Sequence, residues 1–143
     1  MQKIQELWTS TNKLYLTIYH DEQSNFIFNN WTGYVTSENV KNGAFAVLEA
    51  LKKYKSSCIL NNNQELLGRW DHTVEWIEQE WTPLAIEAGL RNFAHIVDDD
   101  TFAAASAADM LKRVAGRYTM QIFHTVEDAR QWLQICTKDL HKV

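Results

Sequence analysis

The residue types best suited to binding a ligand or partner lie in the middle of the chain. Three consecutive asparagines, Asn61, Asn62 and Asn63, follow a short apolar run, and Arg69 and His72 come soon after. Carboxamides both donate and accept hydrogen bonds, and an arginine can hold a carboxylate or a phosphate. The sequence therefore predicts a binding surface in a long loop over 61–70; the ordinary alternative is a turn with a surface arginine.

Trp76 completes this candidate site. His72, Trp76 and Glu80 are spaced i, i+4 and i+8, so they share one stripe of a predicted helix that flanks its apolar face. An aromatic side chain at such a border can anchor a partner or line a ligand cleft, or simply pack at the rim of the core. The stripe is about 12 Å long along the helix axis, which is too long for one metal site, so we expect no metal here.

The remaining polar residues do not predict a catalytic centre. Asp98-Asp99-Asp100 precedes a predicted helix; such carboxylates can bind magnesium, but helix capping explains them better. His95 and His124 have no serine or cysteine nucleophile beside them in the sequence, and no phosphate-binding glycine motif or metalloprotease motif occurs. We therefore expect no cofactor and no enzymatic activity.

Hydrophobic periodicity predicts the elements that position these residues. Alternating side chains from Leu14 to Tyr19 and a second strand from Phe26 toward Trp31 predict a hairpin, and residues 4–8 are a weak further strand. Thr36 or Ser37 is expected to cap the first helix. Strands and helices then alternate to the end of the chain, as the following apolar groups indicate: Cys58-Ile59-Leu60, Phe93 to Val97, Ala104 to Val114, Tyr118 to Phe123 and Val126 to Cys136.

The second helix is expected to begin at Asp71 and to end before Gly89. Its apolar stripe places Trp81 in the core and Trp76 at the core's edge. Pro83 removes a backbone donor, so a kink is expected near it.

These elements predict an α/β fold for the whole chain. A length of 143 residues is typical of one domain, so we assign 1–143 to a single domain. The order β-β-α-β-α-β-α-β-α predicts a mixed five-stranded sheet with four helices, since strands that alternate with helices form parallel pairs.

Composition and charge limit the kinds of partner that the protein is expected to bind. A net charge of −4 argues against nucleic acid, which favours a basic surface. No apolar run is long enough for membrane insertion, and the N-terminus has no apolar signal region, so a cytoplasmic location is expected. Six Trp, six Phe and five Tyr residues are many for one small domain, and they favour a homodimer.

Several segments resemble the SpoIIAA-like, or STAS/SEC14-domain, proteins of bacteria. They are the Phe-Ile-Phe-Asn-Asn-Trp strand from Phe26, the three asparagines, the 76–84 stretch Trp-Ile-Glu-Gln-Glu-Trp-Thr-Pro-Leu, and the 88–94 connection. The resemblance covers most of residues 14–136 and implies a SpoIIAA-like (STAS-like) fold. Antagonists of this type bind partner kinases and are switched by phosphorylation of a serine. Residues 61–73 contain no serine, and Thr73 is their only hydroxyl, so this switch is not expected.

The resemblance and the lack of a catalytic cluster together favour a non-enzymatic regulatory or protein-interaction module, whose partner is another protein or a second copy. The alternative is a small-molecule or lipid-binding domain that holds an apolar ligand against its sheet, as SEC14-type relatives would. The third hypothesis is an unrecognised enzyme.

Overall fold

Three antiparallel strands open the chain. The computed structural model describes residues 1–99 and 102–141, with side chains described except at 102 and 138–141. Strand β1 (Gln2–Trp8) pairs with β2 (Leu14–Asp21), which pairs with β3 (Phe26–Gly33). Asn25, in the turn before β3, has a left-handed φ of 50°, which asparagine tolerates better than most residues.

The rest of the chain adds parallel strands with helices between them. The helices are α1 (Ser37–Tyr54), α2 (71–87), α3 (Phe102–Val114) and α4 (Val126–His141), and the strands are β4 (Cys58–Leu66), β5 (Asn92–Ile96) and β6 (Thr119–Phe123). The six strands lie in sequence order from β1 to β6, with β3 to β6 parallel. The predicted single-sheet α/β architecture with four helices is confirmed. The sheet has one strand more than the five predicted, because β1 pairs along most of its length.

The two faces of the sheet carry separate hydrophobic cores. Helices α1, α2 and α3 pack on one face, where buried side chains such as Leu16, Ile27 and Ile59 lie. Helix α4 packs on the other face through Ala129 and Leu133. Successive residues of a strand point to opposite faces, so each strand contributes to both cores.

Helix α1 begins where the sequence predicted. The Thr36 hydroxyl accepts a hydrogen bond from the backbone N–H of Asn39, and the Asn39 side chain accepts one from the backbone N–H of Thr36. This reciprocal cap satisfies two backbone donors that a helix start leaves free. It fixes the start of the helix that covers the candidate site.

Helix α2 changes its winding along its length. It runs through a 3-10 turn Asp71–Thr73, an α-helical turn Val74–Trp76, a π-helical segment Ile77–Trp81 and an α-helical end Thr82–Glu87. Pro83 cannot donate to the preceding turn, and the chain accommodates it by this local widening. The Ile77 carbonyl accepts the backbone N–H of Thr82 and also the Thr82 hydroxyl, the latter over 2.8 Å. Gly89, just past the helix, has a positive φ of 109° as expected for a helix end.

The prediction of a long loop over 61–70 was wrong, because β4 continues through Leu66. Asparagine is unfavourable in strands in general, but tertiary contacts override that preference. Asn61 and Asn62 pair with both neighbouring strands, and their side chains find hydrogen-bond partners there. The asparagines are therefore buried strand residues, and only residues 67–70 connect β4 to α2.

Candidate functional site

The structure brings two of the six predicted site residues together. Asn61 and Asn63 lie two positions apart on β4 and point to the face covered by α1, where the Asn61 amide nitrogen donates to the Asn63 side-chain oxygen over 3.3 Å. Asn62 points to the opposite face and donates to the side-chain oxygen of Asn30 over 3.0 Å. The three asparagines therefore do not form one surface.

The other three predicted residues lie on the outside of the molecule. Arg69 is exposed and forms an ion pair of 3.2 Å with Asp71, and His72 is exposed as well. Trp76 is half-buried and packs edge-on against Phe45 of α1, with ring centroids 5.5 Å apart. These side chains do not line the cavity described below.

A row of buried polar side chains crosses three neighbouring strands. Asn29 of β3 lies opposite Asn61 of β4, and Asn61 lies opposite His95 of β5. All three residues are buried, and His95 is fully buried. Trp31, the next residue of β3 on the same face, donates its indole N–H to the Asn61 side-chain oxygen over 2.8 Å. The row forms the polar floor of a site on an otherwise apolar face.

His95 contacts a carboxamide at each ring nitrogen. Its Nδ1 lies 3.3 Å from the Asn61 amide nitrogen, and its Nε2 lies 3.2 Å from that of Asn63. The ring stacks on Phe93 at 5.9 Å and lies 5.7 Å from the Trp70 ring, centroid to centroid. Burial without a charged partner lowers the pKa of His95 to about 3 because the imidazolium form would lose its hydration. The ring is therefore neutral near pH 7.

The proton positions in this network follow from the indole of Trp31, which can only donate. Its N–H fixes the Asn61 oxygen, so the Asn61 NH2 faces Nδ1 of His95, and that nitrogen accepts. The neutral ring then carries its proton on Nε2, facing Asn63. The Asn63 side chain turns its oxygen to the Asn61 amide and its NH2 to Nε2, and turning this amide over would set its NH2 against the NH2 of Asn61 instead. The network thus presents one more N–H than its acceptors can serve.

A cavity of about 60 Å³ lies between this floor and the helices. Asn29, Asn61 and Asn63 form its polar part, while Trp31, Trp70, Trp81 and Phe93 form aromatic walls. Val40, Ala44 and Val47 of α1, and Met110 of α3, close it from the helical side. A water needs roughly 10–15 Å³ of such space, so the cavity exceeds a single water site. It is smaller than the roughly 300–1,000 Å³ of pockets for drug-sized ligands.

Two buried polar atoms, on residues that line this cavity, have no hydrogen-bond partner among the described residues. They are the side-chain oxygen of Asn29, an acceptor, and the indole N–H of Trp70, a donor. Both residues line the cavity and both are almost fully buried. An unpaired buried polar group costs about 1–3 kcal/mol, so a bound molecule that reached and paired these two atoms would be stabilised.

Asp98 and Asp99, the described acidic residues before α3, do not form a metal site with other described residues. Asp98 accepts a hydrogen bond from the Gln64 side chain over 3.3 Å, and Asp99 pairs with His124 at 3.2 Å. Asp100 lies outside the described residues. Within residues 1–99 and 102–141, no three His, Cys, Asp or Glu side chains come close enough to hold a metal ion.

Sequence reasoning missed four residues of this site: Asn29, Trp31, Trp70 and His95. A signal was present, since Asn29 and His95 interrupt apolar strands at positions that point to the same face as the core residues Ile27 and Phe93. Polar residues at core-facing positions need partners. The sequence did not predict which strands pair, and so it did not show that these residues lie close together.

The fold is that of a SpoIIAA-like α/β domain. A crystal structure of an uncharacterised protein from Shewanella loihica PV-4, of the DUF3478 family and with a SpoIIAA-like fold at 2.25 Å resolution, is similar to this chain with a TM-score of 0.56. The match covers 93% of this chain and 98% of that one at 17% identity. No family model matches the sequence, and no curated protein matches it. The resemblance is thereby confirmed at the level of the fold.

None of the helices in the described part of the chain combines the length and apolar character that crossing a membrane requires.

Proposed function

We propose that this domain is a non-enzymatic small-molecule-binding module whose ligand occupies the cavity between the sheet and helices α1, α2 and α3. The observation that carries the proposal is that two residues lining that cavity, Asn29 and Trp70, each hold a buried polar atom without a partner among the described residues. A fold normally pairs its buried polar groups. A bound molecule that pairs both groups would gain affinity from them.

The surroundings support binding in preference to catalysis. The imidazole of His95 has a neutral amide neighbour at each nitrogen and a pKa lowered to about 3 by burial, so it is poorly suited to proton transfer near pH 7. The described residues that line the cavity include no Asp, Glu, Lys, Arg or Cys. A site of this composition holds a molecule without supplying a nucleophile or a general base.

The test is a panel of small organic fragments, followed by the indole N–H signals of the tryptophans in a ¹H–¹⁵N spectrum. We expect a binding fragment to shift the signals of Trp31, Trp70 or Trp81, which line the cavity. Ala44→Leu adds bulk to the wall and should weaken binding, while Trp76→Ala, outside the cavity, should leave it unchanged. Binding that Ala44→Leu does not affect, or a panel without any binder, contradicts the proposal.

A second candidate function, docking of a protein partner or a second copy, is favoured by one specific surface. Phe45 is 45% exposed and meets Trp76 edge-on, and the ammonium of Lys41 lies 5.6 Å from the Trp76 ring centroid. Aromatic residues are enriched in protein interfaces. We therefore also propose that this surface, formed by Lys41, Phe45 and Trp76, binds a protein partner or a second copy of the chain. The first would suit a regulatory module, and the second the predicted homodimer.

Native mass spectrometry of protein purified from its own host tests both candidates in one measurement. A retained small molecule supports the binding module, and a dimer mass supports self-association. Phe45→Ala and Trp76→Ala should shift a dimer toward the monomer without displacing the molecule. A monomer at micromolar concentration in sedimentation experiments contradicts the homodimer.

A further inference from the structure

The geometry points to the chemical class of the ligand: we infer that the cavity takes a small uncharged molecule with a hydroxyl or primary amide group on a short apolar body. This inference rests on the proposed binding function and deepens it. The expected ligand donates one hydrogen bond, accepts another and carries no charge.

The need for a donor and an acceptor follows from the two unpartnered atoms. The side-chain oxygen of Asn29 lacks a donor, and the indole N–H of Trp70 lacks an acceptor, among the described residues. A hydroxyl or a primary amide supplies both functions, whereas an ether or a ketone supplies only an acceptor.

The absence of charge follows from the walls. The fourteen described residues that line the cavity are apolar, aromatic or carboxamide side chains, without a charged group among them. A carboxylate or an ammonium ion would lose its hydration there and find no counter-charge. His95, which Asn61 and Asn63 contact, stays neutral near pH 7 as well.

The short apolar body follows from the volume and the aromatic walls. About 60 Å³ excludes a long lipid tail lying wholly inside. The rings of Trp31, Trp81 and Phe93 offer apolar surface to a chain of a few carbons.

The test compares molecules with the same number of non-hydrogen atoms: 1-butanol, its isomer diethyl ether, which donates no hydrogen bond, and butylammonium. Dissociation constants come from titrations that follow the Trp70 indole N–H signal. We expect 1-butanol to bind about tenfold more tightly than the ether, and butylammonium to bind more weakly than both.

Two variants separate direct contacts from structural effects. Asn29→Leu removes the acceptor, so the preference for 1-butanol over the ether should fall to about one. Trp70→Phe removes the donor, so both molecules should weaken alike and the preference should remain; here the Trp31 and Trp81 signals report binding. Asn30→Leu is the matched control, since Asn30 points to the opposite face of β3, and it should keep the preference.

The possible failures are distinguishable. Equal binding of 1-butanol, ether and butylammonium overturns the inferred ligand class and leaves the binding function standing. A preference that Asn29→Leu leaves unchanged also overturns the inference, because the hydroxyl would then be recognised elsewhere. If none of the three molecules, nor any fragment of the larger panel, shifts the cavity tryptophans, the cavity holds water only, and both the inference and the proposed function fail.

Discussion

Trp31 of β3 donates its indole N–H to the side-chain oxygen of Asn61 of β4 over 2.8 Å, inside the face of the sheet that α1 covers. This bond fixes which end of the Asn61 amide faces His95, and therefore which nitrogen of that ring carries the proton. It also holds the indole beneath Gly43 of α1. One side-chain pair thus connects the polar floor of the cavity to the helix above it.

The first prediction concerns Asn61. Asn61→Leu leaves the Trp31 N–H without its acceptor and Nδ1 of His95 without its donor, both in buried positions. We expect the free energy of unfolding to fall by about 2–4 kcal/mol, measured by urea titration. Asn42→Leu, on the exposed side of α1, is the control and should stay within about 0.5 kcal/mol of the parent. An Asn61→Leu loss as small as that of the control would mean that the network does not stabilise the fold.

The second prediction concerns the close approach of α1 to the sheet at Gly43. A Cβ atom at this position would collide with the ring of Trp31 and lie 2.9 Å from Cδ2 of Leu16. The Trp31 ring cannot move aside without losing its bond to Asn61. Gly43→Ala should therefore destabilise the protein by about 1–3 kcal/mol, although alanine favours helices by roughly 1 kcal/mol over glycine.

Thermal or urea unfolding checks this, with Asn42→Ala, the neighbouring exposed position of the same helix, as control. A Gly43→Ala variant that is more stable than the parent would show that the helix moves away from the sheet at little cost.

The third prediction compares two tryptophans of α2. Trp81 is 3% exposed and donates its indole N–H to the carbonyl of Ala44 over 2.8 Å, so Trp81→Ala should cost roughly 3–5 kcal/mol. Trp76 is half-buried against Phe45 at the surface, so Trp76→Ala should cost clearly less. Their burial agrees with the angular positions read from the sequence. Equal losses of unfolding free energy for the two variants would contradict this difference.

Local patterns in the sequence predicted most of the architecture. Alternation over Leu14 to Tyr19 and the capping residue Thr36 depend on neighbours in the chain, and the structure has β2 and the start of α1 there. The sequence also indicated β1 weakly, since an edge strand with mostly exposed side chains has little hydrophobic pattern.

The site was less predictable because it depends on strand register. Asn29, Asn61 and His95 are far apart in the sequence, and only the pairing of β3, β4 and β5 places them in one row. Asparagine propensity alone favoured a loop at 61–63. The sequence analysis chose Arg69 and His72 as binding residues by their side-chain type, and both are exposed. Neither residue type nor spacing predicts which side chains will line a cavity.

The last prediction is a dependence of stability on pH that comes from His95. In the unfolded chain this histidine takes up a proton near its ordinary pKa of 6.5, whereas burial lowers the folded-state pKa to about 3. Between these values the unfolded state binds more protons, so stability falls as the pH decreases from about 6.5 toward 3. His95 alone should account for a loss of about 2 kcal/mol between pH 7 and pH 5. Urea titrations at both pH values measure it, and His95→Gln, which does not titrate, should lose less stability over that interval than the parent. If the parent and His95→Gln show the same change, the imidazole is already protonated in the folded protein or exposed to water, and the neutral network described here is wrong.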